Sequence, residues 1–142
     1  MNAKEIGEIG VLAVAKKLAE KHIKVAFPLG DSARYDLILE LSGRFARIQV
    51  KSIESNDGMF AVKLYNKSTR NGEVIAKRYL PGQIEALIAY NRSNDSIYIL
   101  PPKMLKQGQI FLRLEPTTNN QKKGIHWAKD YENALRNIKW KN

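Results

Sequence analysis

An acid, an amide and an amine stand inside a stretch that otherwise reads as core: YDLILELSGRFARIQVKS, residues 35–52. Two short apolar runs flank Ser42-Gly43, a pair suited to a two-residue hairpin turn. With those residues as the loop, Leu41 pairs with Arg44, and Asp36 falls directly opposite Gln49. Cross-strand partners share a face and side chains alternate, so Lys51 joins them, diagonal to Asp36. Tyr35, Leu37, Leu39, Leu41, Ala46, Ile48 and Val50 fall on the other face, nearly all of it apolar. A one-residue slip would flip one strand's faces, and the apolar alternation argues against it.

Such a trio suits metal-assisted phosphodiester hydrolysis. A carboxylate holds Mg2+ beside the scissile phosphate, and an adjacent ammonium orients or helps deprotonate the attacking water and stabilises the developing charge. One carboxylate is thin for a divalent cation, and Gln49 supplies only a neutral oxygen. A second acid is expected from elsewhere. Glu8 is the candidate and Glu5 its rival: Glu8 lies one and two helical turns before Leu12 and Ala15, on the expected packed face of the first helix. Plainer roles exist for each residue. Asp36 can cap a turn or pair with an arginine, Gln49 can hydrogen-bond across strands, Lys51 can be solvated, and Glu8 can be a first-turn acid favoured by the helix dipole.

The elements that must position these groups are legible in part. Residues 4–21 read as a helix with an apolar stripe of Leu12, Ala15, Leu18 and Ala19, while Gly7 and Gly10 imply close approach of another backbone. IKVAFP is a short strand ending at Pro28, and LGDSAR is a loop. After the hairpin, Asn56-Asp57-Gly58 signals a turn into a third meander strand, MFAVKLY. Residues 66–79 are polar and basic and read as a mobile loop with a short helix at most. IEALIAYNRSNDSIYILP is a second hairpin, PKMLKQG a helical turn and QIFLRL a last strand. DYENALRNIKW reads as a closing helix capped by Asp130. The expectation is a single α+β (α/β) domain over residues 1–142, with a central mixed sheet flanked by helices.

Twenty-four Lys and Arg against 14 Asp and Glu give a net charge of +10 in 142 residues, which favours a polyanionic partner. Lys67, Arg70, Lys77 and Arg78 are candidate phosphate contacts, with Asn66, Ser68 and Asn71 able to reach base edges. Asn119, Asn120 and Gln121 before Lys122 and Lys123 form a second such patch. The absence of cysteine excludes disulfides, thiolate metal sites and cysteine nucleophiles, and fits an intracellular protein. No apolar run is long enough for a membrane span, and the N-terminus lacks the apolar block of a signal peptide. His22 and His126 show no ligand spacing; Asp31 reads as a turn residue, and Trp127 and Trp140 as packing anchors.

KEIGEIG, YDLIL and RIQVKS in this order resemble the PD-(D/E)XK nuclease superfamily, and within it the group I intron-encoded homing endonucleases in which glutamine replaces the second acid. PLGDSARYDLIL and IEALIAYNRSNDSIYILP are similar to that group too, so the resemblance covers roughly residues 4–102. Archaeal Holliday junction resolvases share the helix–strand–hairpin start. The resemblance implies a restriction-endonuclease-like αβββαβ-type core and Mg2+-dependent DNA cleavage, with Mn2+ able to substitute. It also implies a site of Glu8, Asp36, Gln49 and Lys51, with the Val50 carbonyl as an additional metal ligand. The QxK in place of D/E-x-K bears on metal affinity. The reading is a site-specific endonuclease for double-stranded DNA. A junction-resolving nuclease and a non-catalytic DNA-binding module of the same fold are the alternatives. A chain this short covers a long target only as a symmetric oligomer, so a homodimer or homotetramer is expected; the resemblance suggests a tetramer.

Overall fold

In the computed structural model, helix α1 spans Ala3–Glu20 and starts where the Asn2 side chain accepts the Glu5 N–H at 2.9 Å. The structure describes residues 1–80, 82–117, 119 and 122–142; Asn120 and Gln121 of the second polar patch lie outside them, as does the Ser68 side chain. The buried stripe of α1 is Gly10, Val14 and Leu18. Leu12, by contrast, is 60% exposed, and Glu8 and Ala19 are exposed as well, which corrects the expected packed face. Gly10 decides the difference. A Cβ there would sit 1.9 Å from Ser52 Oγ, which instead donates to the Ile6 carbonyl at 3.1 Å. The close approach inferred for the glycines thus holds at Gly10, whereas Gly7 has nothing within 4 Å of such an atom.

The strands follow in chain order: β1 (Lys24–Ala26), β2 (Leu37–Leu41), β3 (Arg44–Ile53), β4 (Met59–Lys63), β5 (Tyr65–Arg70), β6 (Glu73–Arg78), β7 (Ala86–Asn91), β8 (Ser96–Leu100), β9 (Gln109–Arg113) and β10 (His126–Trp127). The central mixed sheet runs β1-β2-β3-β7-β8, with β3 and β7 parallel and the other neighbours antiparallel. The β2–β3 hairpin has the expected register, Leu37 opposite Ile48 through Leu41 opposite Arg44. Ser42 and Gly43 both take positive φ, 53° and 77°, as a primed two-residue turn requires.

Leu37, Leu39, Ala46, Ile48 and Val50 pack on one face with Val14 and Leu18 of α1 and Ile88, Ile97 and Ile99 of β7 and β8. The opposite face, with Leu87, Ala89, Tyr98 and Leu100, is covered by Phe60, Val62, Ile110 and Leu112 of a second sheet, ordered β10-β9-β4. Lying between the two layers, β7 is buried at all six residues, as a parallel-paired inner strand must be. Tyr35 packs with this second layer, not with α1: it precedes β2, so strand alternation does not govern it.

Four expectations are corrected. The Asn56-Asp57-Gly58 turn forms but closes only the Asn56–Met59 bridge, and β4 leaves for the second sheet because β7 takes the β3 edge. Residues 66–79, read as a loop, lie mostly in a two-stranded ribbon of β5 and β6, turned at Asn71 and Gly72 with φ of 52° and 79°. The β3-to-β7 crossover carries these strands where an αβββαβ core has its second helix. The C-terminal segment forms 3₁₀ turns at Ala128–Asp130 and Leu135–Asn137, not a helix capped by Asp130. Its backbone groups serve the sheet instead: Ile99 N–H donates to Tyr131 O, Asn133 N–H to Ile97 O and Lys141 N–H to Phe45 O.

Candidate active site

Asp36 stands one residue before β2 begins. Its N–H still donates to the Ile48 carbonyl, and its Oδ2 accepts the Val50 N–H, both at 2.8 Å. The carboxylate therefore takes the ladder position that β2 would have filled, which fixes one oxygen and leaves Oδ1 for other work. Arg47 and Ile53 turn their carbonyls toward the β7 side, to the N–H groups of Glu85 and Arg92. By alternation Val50 turns its carbonyl the other way, into the gap beyond the end of β2.

Gln49 and Lys51 share the Asp36 face of the sheet, as the hairpin register requires. Gln49 Nε2 lies 3.5 Å from the Val50 carbonyl oxygen, too far to hold the amide tightly. Lys51 is held firmly. Its Nζ donates to Asn66 Oδ1 at 2.8 Å and to the Tyr65 carbonyl at 3.1 Å, leaving one ammonium hydrogen uncommitted by those bonds. Asn66 Oδ1 also accepts from Tyr79 Oη at 3.2 Å, and the Arg34 guanidinium lies 5.0 Å over the Tyr79 ring.

Burial dominates the electrostatics. It pushes the Asp36 carboxyl up, against the Val50 N–H and the Lys51 charge. It pushes Lys51 down, with Asp36 opposing and Lys63 and Arg34 adding to the fall. Tyr79, 6% exposed, is driven up to about 12 by burial. One carboxylate thus sits among the positive charges of Arg34, Lys51 and Lys63, a field that attracts an anion.

Arg47, two residues before Gln49 on the same strand, belongs to a different arrangement. Its Nη2 pairs with Glu85 Oε2 at 2.7 Å and also donates to the Gly82 carbonyl, while Nε and the backbone N–H reach Glu85 Oε1, both at 2.9 Å. Glu85, at the entry to β7, has a side chain only 3% exposed, so this pair pins β7 to β3.

The structure brings Asp36, Gln49, Lys51 and the Val50 carbonyl together; Glu8 lies exposed on α1, and no group of three or more His, Cys, Asp or Glu side chains is placed to hold a metal among the described residues. The donors the strand end offers are hard oxygens: Asp36 Oδ1 and Val50 O, joined by Gln49 Oε1 once the amide turns its Nε2 away from the Val50 carbonyl. They suit a hard divalent cation, which takes oxygen ligands from carboxylates, carbonyls, substrate phosphate and water.

Of the candidate DNA contacts, Lys67 and Arg78 project from one face of the ribbon and Arg70 and Lys77 from the other, all exposed. Arg78 Nη1 is engaged with the Lys106 carbonyl at 3.0 Å. Lys122 and Lys123 are exposed. Asn66, assigned to bases from the sequence, is committed to Lys51 and Tyr79. Arg34, Asn66 and Tyr79 carry no periodic signal that would have marked them, although Asn71-Gly72 is a strong hairpin signal that would have placed Asn66 on a strand. His22 is exposed and His126 contacts Tyr131 Oη at 3.2 Å, so neither joins the site.

A family model described as PD-(D/E)XK endonuclease matches residues 1–134. The fold is similar to that of the solved bacterial homing endonuclease I-Ssp6803I, with a TM-score of 0.80 and 23% sequence identity over 96% of this chain and 92% of that one. No curated protein matches.

Proposed function

This chain belongs to the PD-(D/E)XK endonuclease family, and from that premise we propose that it is a Mg2+-dependent, site-specific endonuclease for double-stranded DNA, with Mn2+ able to substitute. The observation that carries the reading is the strand end itself: a half-buried carboxylate, an opposed amide and a positioned ammonium on one sheet face, inside a positive field. When bound, a divalent cation supplies Lewis-acid polarisation of a phosphate oxygen, held by Asp36, Val50 and Gln49. Asp36 is kept in place by the Val50 N–H. Lys51 is held by Asn66 and Tyr65 so that its remaining N–H can meet the attacking water or the developing phosphate charge. Glu8 is proposed as an acid reaching the site when DNA is seated on the exposed flank of α1. Lys67, Arg70, Lys77, Lys122 and Lys123 offer exposed charge to the phosphate backbone, and Arg78 does so from its anchored position. A symmetric homodimer or homotetramer doubles the contacted length.

The test is cleavage of a plasmid library carrying random inserts, mixed with four-way junction DNA, in Mg2+ and then Mn2+. Asp36→Ala and Lys51→Ala are expected to lose at least about 10³-fold in rate while retaining DNA binding. Clustered cut sites in the library support site specificity, and preferential cutting of the junction would replace that part of the reading with junction resolution. Binding without cutting by wild type and both variants alike would make the chain a binding module.

A further inference from the structure

We propose that Arg34 is a catalytic residue of this site, contacting a phosphate oxygen of the DNA backbone beside Asp36 and Lys51; the inference rests on the nuclease reading above. Arg34 Nη1 is buried without a hydrogen-bond partner. An arginine has five donors, no acceptor, and a charge it does not lose, so an unpartnered buried nitrogen is costly unless an acceptor arrives. The local candidate acceptor is Asp36, two residues along the chain. Yet Arg34 makes no ion pair among those of the described residues; its guanidinium lies over the Tyr79 ring, 5.0 Å from the centroid, and its Nη2 lies a long 3.5 Å from the Arg78 carbonyl.

That cation–π contact connects it to the reaction. Arg34 lies over Tyr79, Tyr79 donates to Asn66, and Asn66 accepts from Lys51. Tyr79 thereby ties the guanidinium to the same scaffold that holds the ammonium. The site has one carboxylate, with one oxygen already taken by the Val50 N–H, against the charges of Arg34, Lys51 and Lys63. What it lacks is an anion with acceptor oxygens. The DNA phosphate is one, and a planar guanidinium fork matches it in geometry.

Arg34→Met removes the charge and keeps the bulk; Arg34→Lys keeps a charge without the fork. Rates are measured in single turnover at saturating DNA, alongside wild type and Asp36→Ala, and unfolding midpoints in urea. Arg34→Met is expected to cut about 10²–10³-fold more slowly, with an unfolding midpoint no lower than wild type, because it removes an unsatisfied buried donor. Arg34→Lys is expected to recover only part of the rate. Wild-type cleavage by Arg34→Met, or a loss of rate that follows a matching loss of stability, overturns the proposal while leaving the nuclease reading intact. A second readout does not depend on turnover: the Arg34 Nε–H NMR resonance should move on adding inorganic phosphate and stay put in chloride of equal ionic strength. A resonance unmoved by phosphate also overturns the anion site. If wild type does not cut at all, the catalytic role falls with the nuclease reading, and the phosphate titration alone decides whether an anion site survives.

Discussion

Asn66 stands on a strand outside the central sheet, yet its Oδ1 gathers both Lys51 Nζ and Tyr79 Oη. It is a positioning residue, acting through the ammonium. Asn66→Ala is expected to slow cleavage about 10²-fold, the scale associated with misplacing a reacting group by about 1 Å. The double variant Lys51→Ala/Asn66→Ala should be no slower than Lys51→Ala alone; strictly multiplicative losses would show that Asn66 acts elsewhere. At this scale the sequence was informative where period and turn chemistry coincide. Asp36, Gln49 and Lys51 fall on one face because Ser42-Gly43 sets the register. Arg34 precedes the strand, and Asn66 and Tyr79 come from the ribbon and just beyond it, so no local period connects them to Lys51. The packed face of α1 differs from the expected one for a related reason: several apolar stripes fit α1, and the contact with Ser52, distant in sequence, selects the one through Gly10.

Among the elements, α1 depends on that glycine. Gly10→Ala puts a methyl group into Ser52 Oγ and is expected to cost about 1–3 kcal/mol in urea unfolding. Ser52→Ala in the same chain should return part of the loss, because Ser52 Cβ itself lies 3.3 Å from the added atom and remains. Two fully additive losses would rule out the clash as the cause. The ribbon of β5 and β6 makes a different claim. Lys67→Ala, Arg70→Ala and Lys77→Ala should each reduce the salt dependence of binding to random-sequence duplex by about one unit of log–log slope. An unchanged slope in all three would take the ribbon off the DNA. Elements with a strong period, the hairpins β2–β3 and β7–β8, were readable in advance. The ribbon was not, since all of β6 is exposed and it lacks the apolar alternation of a half-buried strand. The closing segment carried helical spacing, but bridges to Tyr98 and Phe45 commit its backbone to the sheet.

For the whole molecule, the parallel β3–β7 pairing is the join on which both layers rest, and Glu85 secures it. Burial alone would raise the Glu85 carboxyl, but Arg47, through its side chain, backbone N–H and charge, leaves it lowered. A depressed folded value means the stabilisation is fully present above the usual glutamate value of 4.5 and is lost as pH falls through the folded value. The stability gap between wild type and Glu85→Gln, read from urea midpoints, should be constant above that pH and shrink below it. A gap that persists unchanged into acid would remove Glu85 from the linkage. The same join has a consequence during synthesis. Ile48 must wait for Ala86, 38 positions later, before its strand gains the parallel neighbour. At roughly 5–20 residues per second, the nascent chain carries an unpaired apolar β3 edge for about 2–8 seconds. Slowing translation between codons 54 and 85 would lengthen that window, and fast-elongating expression hosts should return more soluble product than slow ones.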